Sequence, residues 1–113
     1  MKEELRNTLM EKYPFFYRDP EKKVYRKYPE QAISEAVSDV WYPVINRLCE
    51  ELSCYIRELE YPAHLMFILI GIKDRHLQIY YLLEGGDSEV SNQIDELIDK
   101  YERIEQCEQS IME

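Results

Sequence analysis

Two neighbouring apolar segments constrain this chain more than any other feature. Residues 64–72, HLMFILIGI, are apolar at odd and even positions alike, so a strand there presents an apolar surface on both faces. Residues 76–84, HLQIYYLLE, alternate: Leu77, Ile79, Tyr81 and Leu83 point one way, and His76, Gln78, Tyr80 and Leu82 the other. Lys73, Asp74 and Arg75 form a polar connection between them, which predicts an antiparallel hairpin. A single helix from Ala63 to Leu83 is the competing assignment; the clustered isoleucines and aromatics and the polar interruption favour strands. Two strands cannot bury both of their faces alone, so helices must cover the hairpin or a second copy must extend it.

The rest of the chain reads as helical cover. Leu5, Leu9 and Tyr13 recur at four-residue spacing, which predicts a short amphipathic helix over residues 3–12, stopped by Pro14. Residues 14–29 read as irregular, with a turn-like Asp19-Pro20-Glu21. From Pro29 an apolar stripe begins: Ile33, Val37, Val40, Val44, Leu48, Leu52, Tyr55 and Leu59. Pro43 inside a helix costs about 3 kcal/mol, so a kink or break is expected around Trp41–Pro43, with Pro62 closing the second half. After Gly85-Gly86, Asp87 or Ser88 caps a last helix carrying Val90, Ile94, Leu97, Tyr101, Ile104 and Ile111, with Glu108 interrupting the pattern. Glu96 with Lys100 and Asp99 with Arg103 are expected as i,i+4 pairs. The fold class is α+β: a short N-terminal helix, a long kinked helix, an antiparallel hairpin and a C-terminal amphipathic helix, in one domain spanning residues 1–113.

Charge is unevenly spread. Of a net −9, nearly all lies in residues 84–113, which hold ten acids and two bases. Such a field disfavours direct nucleic-acid binding and suits a basic protein partner. The longest apolar run, Leu65 to Ile72, is too short for a membrane-spanning helix, and the N-terminal residues lack the apolar core of a secretion signal. Three cysteines do not make a disulfide scaffold in 113 residues, so a reducing, cytoplasmic setting is expected.

No catalytic or cofactor-binding constellation assembles from spacing alone. Cys49, Cys54, His64, His76 and Cys107 suffice for zinc by count, but no pair has the spacing of a structural site, and cysteines five apart diverge around a helix. No signature pairs a cysteine with a histidine as a nucleophile, and Gly85-Gly86 lacks the lysine and hydroxyl of a phosphate loop. Neither a cofactor nor a metal is expected. Three surfaces stand out. Asp95, Glu96, Asp99, Glu102 and Glu105 form an acidic face on the last helix. Tyr17, Arg18, Lys22, Lys23, Tyr25, Arg26 and Lys27 interleave aromatics with bases, the pattern that single-stranded nucleic acid requires; the bland alternative buries Phe15 and Phe16 and lets the bases offset the acidic tail. Val90, Ile94, Leu97, Tyr101 and Ile104 make a stripe that is either core, if the helix folds back, or an oligomer face, if it projects.

The segments LRNTLMEKYPFFYR, WYPVINRLCEEL, IKDRHLQIYYLLEG and IDKYERIEQCEQS together resemble a family of small uncharacterised proteins found in bacteriophages and prophage regions. Lys12, Tyr13 and Pro14 match its first element; Trp41, Leu48 and Cys49 its second; Ile72, Lys73, Leu77, Ile79 and Tyr80 its hairpin; Glu105 and Cys107 its end. Arg75 and His76 stand where the family pairs glycines, and Ser110 where it closes a Cys-x-x-Cys. The resemblance implies a phage or prophage setting, in the host cytoplasm, and supplies no activity. Together with the acidity, it leads to the expectation of a non-enzymatic accessory protein that binds another protein, as an acidic inhibitor of a host nucleic-acid-binding or defence factor. A homo-oligomeric structural or virion-associated protein and a single-stranded nucleic-acid binder acting through residues 15–28 are the alternatives. A homodimer is expected.

Overall fold

Glu3–Lys12 form the first helix, α1, in a computed structural model that describes residues 1–19, 24–25, 32–61 and 63–104, with backbone alone at 14, 17–19, 24 and 25. Glu3 and Glu4 in its first turn and Lys12 in its last complement the helix dipole. Leu9 and Met10 are its buried residues. The residue before a proline is driven out of helical geometry, and Tyr13 is accordingly extended. A 3-10 turn, Pro14–Phe16, then sends Phe15 and Phe16 into the core.

The following segment departs from the irregular expectation: β1 (Tyr17–Asp19) and β2 (Val24–Tyr25) pair antiparallel, with a register shift between Tyr17 and Asp19. Tyr17, Val24 and Tyr25 are good strand formers, which favours this pairing.

A second departure lies in residues 33–38, which are not helical although the stripe predicted a helix from Pro29 to the break; Pro29 itself lies outside the described residues. Instead Ile33 makes an isolated parallel bridge to Ile70, and Ser34 N–H donates to the Ile70 carbonyl at 2.9 Å. Ile33, Val37 and Trp41 are all buried. Apolar spacing recorded which residues turn inward, and successive tight turns satisfy it as well as a helix does. The break itself falls at Trp41–Pro43: a 3-10 turn, Asp39–Trp41, runs into α2 (Tyr42–Arg57), leaving Pro43 in the first turn where its missing N–H costs no bond. That restart rotates the stripe. Ile45, Leu48, Cys49 and Leu52 are buried, whereas Val40 is exposed and Val44 half-buried.

The predicted hairpin is β3 (His64–Lys73) and β4 (His76–Glu84), antiparallel from His64 opposite Glu84 to Lys73 opposite His76. A bulge between Phe67 and Leu69 shifts the register. The two-residue connection Asp74-Arg75 has φ of 52° and 69°, the left-handed geometry that matches strand twist in tight hairpins.

Asp87 caps the last helix, α3 (Ser88–Glu102), by accepting from Val90 N–H at 2.9 Å. This helix folds back onto β4 and α2. Its buried residues are Ile94, Ile98 and Tyr101, while Val90, Leu97 and Ile104 are half-buried against the same core. The apolar stripe offered as an oligomer face is thus occupied by the chain's own interior, and its centre passes through Ile98. Asp99 and Arg103 form their ion pair at 2.7 Å, but Lys100 turns away from Glu96 to Glu51 of α2, at 3.2 Å. Glu105, Cys107, Glu108 and Ile111 lie outside the described residues.

The architecture is α+β, with one covered sheet face. Phe67 on the inner face of β3 meets Phe15 edge-on, with centroids 5.7 Å apart, and Phe16 at 5.4 Å. Of the two arrangements left open for the last helix, the structure shows the folded-back one. Helices and aromatics gather on the inner side, and Leu69, Tyr80 and Leu82 of the outer face are exposed. No helix among the described residues is long and apolar enough to cross a membrane.

A non-glycine residue in left-handed geometry carries a strain of about 1 kcal/mol. Arg75→Gly should relieve it, net of the added chain entropy, and raise unfolding free energy by about 0.5 kcal/mol in urea titrations.

Candidate functional site: an acidic groove beside the hairpin

Helical periodicity places Asp95, Glu96, Asp99 and Glu102 along one side of α3, and the fold sets that side against the free edge of β4. The result is a groove of about 430 Å³ lined by these four carboxylates together with Ile79, Tyr81 and Ile98. Its walls are acidic and its floor apolar, and no basic side chain lines it among the described residues.

Three contacts hold the groove's shape. Glu102 Oε2 accepts from Ile79 N–H at 2.9 Å, capping a backbone donor that the strand edge would otherwise leave open. His76 Nδ1 lies 3.1 Å from the Glu102 carbonyl oxygen, a bond that requires the proton on Nδ1. At the other end the Tyr81 hydroxyl donates to Asp95. Asp99 is partly neutralised by Arg103, whereas Glu96 is exposed and directed to solvent. Four of the five acids proposed from sequence are therefore brought to one place; Glu105 is beyond the described residues. The floor residues Ile79, Tyr81 and Ile98 were not anticipated as part of a site. Alternation in 76–84 assigned Ile79 and Tyr81 to the inner face, but nothing in spacing reveals which helix their strand edge meets.

The basic and aromatic patch of Tyr17, Arg18, Lys22, Lys23, Tyr25, Arg26 and Lys27 has no described side chains. Two aromatics of the same segment, Phe15 and Phe16, are buried and unavailable for stacking on bases.

A second polar cluster joins α1 to α2. The Tyr13 hydroxyl donates to Asn46 Oδ1 at 2.8 Å, Lys12 Nζ donates to the same oxygen at 3.0 Å, and Asn46 Nδ2 reaches Glu50 at 3.4 Å. Burial, reinforced by Cys49, Glu50 and Tyr42, pushes the Tyr13 hydroxyl up to about 12. Burial also raises Tyr101, helped by the Glu51 carboxylate beside it. The Cys49 thiol is raised strongly by burial, with Lys12 opposing and Glu50 adding to the effect. A nucleophilic cysteine needs the reverse, a stabilised thiolate. Cys54 is exposed, so the two do not converge, and no group of three or more His, Cys, Asp or Glu side chains converges as a metal site among the described residues.

No family model, curated protein or solved structure matches the chain.

Two measurements check this electrostatic picture. With Cys107→Ser as background, Ellman's reagent should modify Cys54 in the native protein and Cys49 only on unfolding. The raised hydroxyls and thiol bind protons more tightly when folded, so their contribution is complete below their ordinary values and is lost as pH climbs. For Tyr13 the loss falls between about pH 10 and 12, and Tyr13→Phe should flatten it in urea titrations.

Proposed function

We propose that this chain is a non-enzymatic protein that acts by protein–protein contact, receiving a basic segment of its partner in the groove between α3 and β4. The observation that carries this reading is the groove's composition: four carboxylates above a floor of Ile79, Tyr81 and Ile98, with no base in the lining among the described residues. A lysine or arginine fits both parts, its aliphatic stem against the isoleucines and its charged head among Asp95, Glu96 and Asp99. The acidic C-terminal third adds long-range attraction for a basic surface, which speeds encounter and repels nucleic acid. A segment that a host protein uses to hold DNA or RNA has this basic character, and occupying it inhibits that protein. The resemblance to small phage and prophage proteins suits such a role in the host cytoplasm.

A self-associating protein is the second reading, and a different surface favours it: the exposed apolar outer face of the β3–β4 hairpin.

The partner-binding reading is tested by capture from bacterial lysate with a tagged copy beside the charge-reversed variant Glu96→Lys/Asp99→Lys. A basic protein should be retained by the native chain, released as salt rises toward about 0.5 M where screening is strong, and retained at least about tenfold less by the variant. Retention that ignores both salt and charge reversal, or no retained basic protein at all, overturns it.

A further inference from the structure

The inner face of the hairpin is covered; among the described residues no helix or strand covers the centre of the outer face. Alternation along the two strands places Met66, Leu69, Tyr80 and Leu82 on that outer face, where Tyr80 and Leu82 are 50% and 53% exposed and Leu69 37%. Register makes them two adjacent cross-strand rows, Leu69 opposite Tyr80 and Met66 opposite Leu82. An apolar patch at the centre of a strand face, where alternation normally puts polar side chains toward water, marks a contact surface.

Two features identify the occupant. First, the patch cannot be covered by sheet extension through either central edge position. The outward carbonyl of Ile70 already accepts from Ser34 N–H, and the outward N–H of Ile79 already donates to Glu102. A partner must therefore stack on the face. Second, charge along the outer face is polarised and self-complementary. The exposed Lys73 stands at the turn end, and the exposed Glu84 at the opposite end, across from His64. Turning a second copy by a two-fold axis perpendicular to the strands lays Leu69 and Tyr80 on their own counterparts. It also sets each Lys73 over the His64 of the other copy, one strand spacing from that copy's Glu84 and within reach of its carboxylate. Stacking with strands in the same direction would instead set the two Lys73 side chains, and the two Glu84 side chains, one strand spacing apart.

The geometry points to a homodimer formed by face-to-face, antiparallel stacking of the outer faces of β3 and β4, centred on Leu69 and Tyr80 and flanked by two Lys73–Glu84 pairs. This rests on the self-associating reading and is independent of the acidic groove, which lies beyond the β4 edge and stays open in such a dimer. The strand face is about 30 Å by 10 Å from strand rise and spacing, roughly 300 Å² per copy. That is well under the roughly 800 Å² per partner of a tight complex, so the dimer is weak and exchanges readily.

Sedimentation equilibrium from about 10 µM to about 1 mM reads the association directly across that range. The native chain should move from mainly monomer to mainly dimer, and Leu82→Glu, checked for an unchanged circular dichroism spectrum, should remain monomeric throughout. Lys73→Glu alone and Glu84→Lys alone should each weaken association several-fold, and the double exchange should restore it. A native monomer at the highest concentration overturns self-association. A dimer that survives Leu82→Glu shows that another face is used. Single exchanges without effect, or a double exchange that fails to restore, overturn the antiparallel arrangement while leaving self-association standing.

Discussion

Phe67 is the residue around which the fold closes. It sits on the one covered face of a two-stranded sheet, and two strands alone are marginal in water. Phe15 and Phe16, delivered by the 3-10 turn after α1, meet it within 5.7 Å and 5.4 Å, so the N-terminal segment and the hairpin share a single aromatic cluster. Ile33 then bridges β3 at Ile70, and α3 returns to the opposite edge at Ile79. Each element outside the sheet thereby closes some part of what the hairpin leaves open.

Much of this was legible in the residues. Pro14 and Pro43 punctuate helices through steric rules that tertiary context rarely overrides, and both mark a boundary here. The hairpin was visible because nine or ten residues of unbroken β-former sequence flank a polar pair. Asp87 caps α3 through a local contact with Val90. Residues 33–38 were misread for the opposite reason. Ile33, Val37 and Trp41 record burial, and burial at four-residue spacing is common to helices and to successive tight turns. The break at Trp41–Pro43 was legible from Pro43, but not the rotation it imposes, which moved the buried stripe of α2 onto Ile45 and Cys49.

The candidate site divides along the same line. Carboxylates that share a helix face are readable from periodicity, and Asp95, Glu96, Asp99 and Glu102 do line one groove. The floor beneath them is a tertiary matter: it exists because Ile98, one position away from the anticipated Leu97, turns toward the hairpin edge. Folding back of α3 also removed its apolar stripe from the surface and left the outer sheet face as the large exposed apolar area of the hairpin. Acidic and apolar recognition are thus carried by different surfaces, one beside the sheet and one across it.

The bond from Ile79 N–H to Glu102 has a further consequence. It ties one peptide group of the strand edge to a carboxylate that also lines the groove, so a cation taken up through Oε2 detaches that carboxylate from the strand. Solvent deuterium would then reach the Ile79 amide faster than when the groove is empty. One backbone proton, far from any freely solvated loop, becomes a built-in gauge of whether the groove is empty or filled.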